Sequence, residues 1–170
     1  MSDAETLVTT LRDYFAATAQ WNDKVDSLND TYEAASAPFD PIRLRHLAKV
    51  YIAERKRTSI PQFPVLFILS LASQNLNFKE DTEDWSHTVR IGVIEQGQDE
   101  DVLDIQIKRY LEDVVWTLLK AGHFAGSIGG YQLVIDEAAG PDSLRVDWGE
   151  TLPGAGTMTQ DATFTISMKV

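Results

Sequence analysis

Three histidines, one serine in a glycine-rich run and one knot of carboxylates are the groups in this chain whose types suggest chemistry. His46, His87 and His123 are scattered, without the i, i+4 spacing that sets two ligands on one helix face, so each reads as structural. Ser127, in Gly126-Ser127-Ile128-Gly129-Gly130, lacks the pattern of a nucleophile elbow, and the run lacks the lysine of a phosphate loop; it reads as a glycine-rich connection. Asp99, Glu100, Asp101 and Asp104 carry oxygens that suit magnesium or calcium, but capping a helix accounts for the same residues with less. With no cysteine, disulfides, thiol catalysis and thiolate metal sites are all removed. A small metal-dependent hydrolase would need histidines and carboxylates clustered, so we expect no enzyme and no cofactor.

Charge is the less ordinary feature. Arg43, Arg45, Lys49, Arg55, Lys56 and Arg57 put six of the 15 Lys and Arg residues into the stretch 43–57, opposed there by Glu54 alone. A solvated helix face with long stems over apolar neighbours is one explanation. The other is a docking patch for an acidic partner or for passing nucleic acid phosphates.

The elements that would position these groups can be read in order. Ser2 and Glu5 make a capping-box pattern before Leu7, Leu11, Tyr14 and Phe15, which predicts a helix over 3–20. Residues 22–40 are polar and read as a connection with some helix, while 42–54 fit either a helix started by Asp40-Pro41 or a strand around Val50-Tyr51-Ile52. The apolar run 63–70 predicts a strand covered on both faces, with Pro64 confined to its start or to an edge. Residues 87–95 alternate, with Val89, Ile91 and Val93 on one face and Thr88 and Arg90 on the other, so that strand should be half-buried. Between them, 74–84 is polar and acidic and reads as a long hairpin arm.

After Gly97, the acidic run at 99–101 caps a helix in which Leu103, Ile107, Tyr110, Leu111, Val114, Val115 and Leu118 recur at helical spacing, closed by Lys120 and Gly122. Short strands follow at 131–135 and 144–148, a mobile loop at 151–160, and a last strand at 163–170 with Phe164, Ile166, Met168 and Val170 on one face. The fold class is therefore α+β: a mixed, mostly antiparallel sheet packed against two or three helices, with a long hairpin arm, in a single domain spanning 1–170.

A chain of 170 residues can bury roughly 70% of its unfolded surface in one core. No apolar run approaches the ~20 residues of a membrane span, and no signal-peptide pattern opens the sequence, so a cytoplasmic, membrane-free protein is expected. A net charge of -11 argues against sequence-specific nucleic acid binding.

Taken together, Phe63-Pro64 entering a strand, an acidic hairpin reaching Asp84-Trp85, an alternating strand to Glu95, an Asp-rich helix start, Gly130-Tyr131, Asp147-Trp148 and a closing Thr163-Phe164-Thr165-Ile166-Ser167-Met168 strand resemble the tail terminator proteins of long-tailed bacteriophages. The likeness covers about 60–170 and the leading helix in kind; 22–57 have no counterpart in it. It implies a structural virion protein, assembled in the host cytoplasm into a hexameric ring on the head-proximal end of the tail tube. The ring would stop tube polymerisation, meet the tail tube protein and a head-tail connector or neck protein, and let genomic DNA pass without specific contact. Exposed edges are natural seams between copies, here Phe63 and Pro64 with the arm residues Asp81, Glu83, Asp84 and Trp85. Another head-tail connector, such as a neck or head completion protein, shares the size and the ring habit.

Overall fold

A computed structural model describes residues 3–34, 42–53, 59–75, 85–133, 145–154 and 156–169. It is an α+β fold, with helices on one face of a mixed, mostly antiparallel sheet. Helix α1 (Asp3–Ala16) buries Leu7, Leu11 and Phe15, spaced four apart, against the sheet. The predicted connection over 22–40 is instead mostly helix. After a break at Ala17, α2 runs over Thr18–Ala34 and buries Trp21 and Val25, with Leu28 and Tyr32 continuing that stripe half-buried. Four apolar positions at helical spacing suffice there, although Asn22, Asp23, Lys24 and Asp26 make the segment look like a loop.

No helix forms over 42–53. Residues 42–48 form a strap without regular secondary structure that leads into β1 (Lys49–Tyr51), and side chains satisfy backbone groups of Ile42, Arg43, Leu44 and Arg45. Asn29 of α2 both accepts from the Leu44 N–H at 2.8 Å and donates to its carbonyl at 2.9 Å. Gln106 donates to the Arg43 carbonyl and Arg109 to the Ile42 carbonyl, each at 2.8 Å. Served from outside, the segment gains nothing by coiling.

β1 pairs in parallel with β2 (Val65–Asn75), which pairs antiparallel with β3 (Trp85–Gly97) through a bulge at Leu71. β2 begins after Pro64 and runs to Asn75, so Gln74 and Asn75 belong to the strand and not to the arm; residues 76–84 of the arm lie outside the described residues. Both faces of β2 are covered over Val65–Ile68, whereas Leu69 is half-buried and Ser70–Ser73 are exposed, so the coverage expected over 63–70 holds only in part. Leu66 and Ile68 enter the main core, while Val65 and Phe67 join Ile60 and Ile94 in a second cluster on the far face. β3 is accordingly more than half-buried: Val89, Ile91 and Val93 face the helices, and Gly92 and Ile94 are covered from the other side.

Asp99 caps the long helix through Oδ1, which accepts from the Val102 N–H at 3.1 Å. The helix is built from α3 (Glu100–Arg109), a π-helical turn (Tyr110–Val115) and α4 (Trp116–Phe124). It passes through Lys120 and Gly122, which do not end it; Gly126, at φ 116°, follows its last turn instead. Gly122 is needed for close packing, because a Cβ there would lie 2.5 Å from Ile128 Cγ1.

The last strand is longer than predicted. β7 (Met158–Lys169) pairs with β3 along its whole length, and its other edge is filled in turn by β4 (Gln132–Leu133), β5 (Arg145–Trp148) and β6 (Leu152–Pro153). The expected loop at 151–160 is thus largely a tight hairpin, closed by Gly154 N–H donating to the Thr157 carbonyl at 2.7 Å.

Candidate functional site

β3 carries its core phase one step further than its apolar residues do. Glu95 follows Val89, Ile91 and Val93 on the helix-facing side and is 0% exposed. Its Oε1 accepts from the guanidinium of Arg45, on the strap, and from the Gln96 N–H at 2.7 Å. Oε2 is buried with no hydrogen-bond partner among the described residues. Burial pushes the Glu95 carboxyl above the usual carboxylate range, against the opposing pull of Arg45 and the Gln96 N–H.

Tyr110 reaches the same point from the start of the π-helical turn, a kind of irregularity that often marks functional positions. Its hydroxyl accepts from the Arg45 N–H and donates to the Arg45 carbonyl at 3.0 Å. Burial first, then the neighbouring Glu95 charge, raises its pKa. The Trp21 ring stacks on the Tyr110 ring with centroids 6.0 Å apart.

Above this buried group opens a cleft of about 520 Å³ lined by Arg45, His46, Ala48, Pro61, Gln62, Phe63 and Gln96. That volume falls among ordinary binding clefts. Arg45 spends Nη2 on Glu95 and on the Gln96 carbonyl. Its Nε and Nη1, like the Gln62 amide, have no hydrogen-bond partner among the described residues. The lining therefore offers spare donors, one cationic group and an aromatic wall, and contains no carboxylate.

Among the described residues of the basic segment, Arg45 alone is tied into this centre. Arg43 pairs at the surface with Glu33 at 2.5 Å, and Lys49 lies 5.2 Å from the Tyr51 ring centroid. Arg55, Lys56 and Arg57 lie outside the described residues. The solvated helix face proposed for the segment is not present over 42–53, since that stretch forms no helix. Of the seam residues, Phe63 lines the cleft and Pro64 is buried, its carbonyl accepting from the Ala48 N–H at 2.9 Å. Pro64 thus stands on no exposed edge. Trp85 stacks on His87 with centroids 6.3 Å apart, and Asp81, Glu83 and Asp84 lie outside the described residues.

The other candidates go to separate tasks. His46 Nε2 meets Asp26 Oδ1 at 2.8 Å on the surface, whereas His87 is buried with Nδ1 at 2.8 Å from Ser73 Oγ. The His123 side chain lies outside the described set. Ser127 Oγ accepts from the Gly130 N–H at 3.2 Å, bracing its turn. Asp104 pairs with Lys108 at 2.5 Å, and that hydrogen bond holds its carboxyl below the usual range. Among the described residues, no three His, Asp or Glu stand together as a metal site would require. Glu95, Tyr110, Gln62 and Gln96 were not singled out by sequence reasoning. Glu95 alone left a signal, a charged residue in phase with three core positions.

No protein-family model matches the chain, and no curated protein matches it.

Proposed function

We propose that the protein is a ring-forming structural subunit of a long-tailed phage, a tail terminator that caps the head-proximal end of the tail tube and offers the surface on which head and tail join. One observation carries this reading beside the sequence resemblance. Among the described residues β1 covers the outer edge of β2 only at Val65, Leu66 and Phe67, which leaves 68–75 unpaired. Ile-Leu-Ser-Leu-Ala-Ser-Gln-Asn has no charge and no proline, two of the usual guards of an exposed strand edge. Leu71, at the bulge, is 46% exposed. The opposite edge of the sheet, by contrast, is filled by β4, β5 and β6.

A subunit unfinished on one side suits a heterologous contact, and such contacts close into rings when the rotation permits. The acidic composition lets DNA pass without being gripped, because carboxylates repel phosphates. The role needs no active site.

Electron microscopy of a phage lacking the gene tests it. Filled heads beside unjoined, overlong tubes are expected, since nothing would block the growing end. Tubes of uniform normal length would overturn termination in favour of a neck or head completion role.

A further inference from the structure

Two buried side chains stand side by side, each with an oxygen that lacks a donor. Glu95 and Gln160 are directly opposite in the register of β3 and β7, in file with the core pairs Val93–Ala162 and Ile91–Phe164, so both point to the helix-facing side. Directly opposed residues have Cβ atoms no more than about 5.5 Å apart. Glu95 is 0% exposed and Gln160 5%. Glu95 Oε2 and Gln160 Oε1 are both buried with no hydrogen-bond partner among the described residues.

No neighbouring donor is free to serve them. The Gln160 amide is oriented by α3: its Nε2 donates to Asp104 Oδ1 at 3.2 Å, and turning the amide over would set its oxygen against that carboxylate. Asp104 is kept as an acceptor by Lys108, which holds its carboxyl below the usual range. The Tyr110 hydroxyl spends its proton on the Arg45 carbonyl at 3.0 Å, and Arg45 Nη2 serves Glu95 Oε1 and the Gln96 carbonyl. An ionised Glu95 would therefore strand two buried acceptors beside each other, and each such loss is costly. One added proton repairs both.

We infer that Glu95 and Gln160 form a proton-binding site inside the fold, in which Glu95 is a carboxylic acid whose Oε2–H donates to Gln160 Oε1, and that this proton sets the charge of the cleft. A hydrogen-bond chain then runs from Lys108 through Asp104, Gln160 and Glu95 to Arg45, tying α3, β7, β3 and the strap together. With the proton in place, Glu95 Oε1 still accepts from Arg45 but does not cancel its charge, and the Arg45 side chain, 52% exposed, makes the cleft cationic. Loss of the proton cancels that charge and breaks the chain at Gln160. The burial that lifts the Glu95 carboxyl above its ordinary range acts in the same direction. The titratable and charged groups that face this site are Arg45 from the strap and Tyr110 from the long helix, with Asp104 and Lys108 reached through Gln160. His46, in the cleft lining, is engaged with Asp26.

Carbon-13 NMR of the full-length protein, followed over pH, tests the site. The Glu95 carboxyl resonance is identified as the one missing from Glu95→Gln. In the parent its midpoint is expected above 4.5, and the Arg45 side-chain resonances should shift with the same midpoint. Gln160→Met keeps the bulk but has no oxygen to accept, and should lower the proton affinity of Glu95 about tenfold, the worth of one hydrogen bond to the neutral form. A merely apolar effect of methionine would raise that affinity, so the sign of the change separates the two. A parent midpoint at or below 4.5 refutes the site even if Gln160→Met fails to fold. A raised midpoint that Gln160→Met leaves unchanged or raises further also overturns it, as it would if a buried water served both oxygens.

Discussion

The Phe67 ring lies directly over Gly92 on the neighbouring strand, so close that a Cβ at position 92 would stand 2.2 Å from its Cζ. Gly92 is thereby the floor of the second apolar cluster, in which Phe67 packs with Ile60, Val65 and Ile94. Glycine inside a strand normally weakens it, and here its absent side chain is what admits the ring.

Gly92→Ala should therefore destabilise the protein, by about 1–3 kcal/mol, as overpacking does. Urea unfolding checks it, and the double variant Gly92→Ala with Phe67→Ala should lose less than the sum of the two single losses, because the smaller neighbour removes the clash. An unchanged midpoint in the single variant would contradict the close approach.

Glu95 predicts a pH dependence of definite sign. Its folded pKa lies above the ordinary 4.5, so the folded state holds this proton more tightly than the unfolded chain does. The associated stability is complete below 4.5 and is lost as pH rises from there through the raised value. Glu95→Gln cannot ionise and keeps an oxygen for Arg45. Relative to this variant, the parent should lose stability as pH climbs above 4.5. Urea midpoints that run parallel for the two proteins across that range would rule the effect out.

Asn29→Ala removes both side-chain bonds to Leu44, whose own side chain is buried, and leaves a backbone N–H and a carbonyl without those partners. A cost of about 1–3 kcal/mol is expected, with faster amide exchange at Leu44. Exchange at the parent rate would mean that the strap is held by its other anchors alone.

Leu71→Lys puts a charge on the unpaired edge of β2. Because Leu71 is already substantially exposed, monomer stability should move by no more than about 0.5 kcal/mol, while self-association falls. Light scattering across a concentration series reads this out. Undiminished assembly would exclude 68–75 as a seam.

Periodicity revealed the parts of this fold that periodicity builds. Leu7, Leu11 and Phe15, the stripe from Leu103 to Leu118, and the alternating cores of β3 and β7 were all legible, because burial selects residues at the repeat of the element. What escaped was fixed by partners distant in sequence. The strap gave no local signal, since its hydrogen bonds come from Asn29, Gln106, Arg109 and Tyr110. The ends of β2 and β7 were cut short because Gln74, Asn75 and Gln160 are polar, yet cross-strand neighbours hold them in register. The cleft was equally hidden. It is assembled from 45–48, 61–63 and Gln96, and no spacing within one segment announces it.

The strap has a mechanical consequence. Tension on the Arg45 side chain passes along 42–45 into anchors on two separate helices: Asn29 on α2, and Gln106, Arg109 and Tyr110 on the long helix. Because these attachments serve successive residues side by side, a pull across the strap is shared among them and does not open them one after another. The force is not concentrated on any single bond, and the load ends in the interior, where Tyr110 stacks on Trp21.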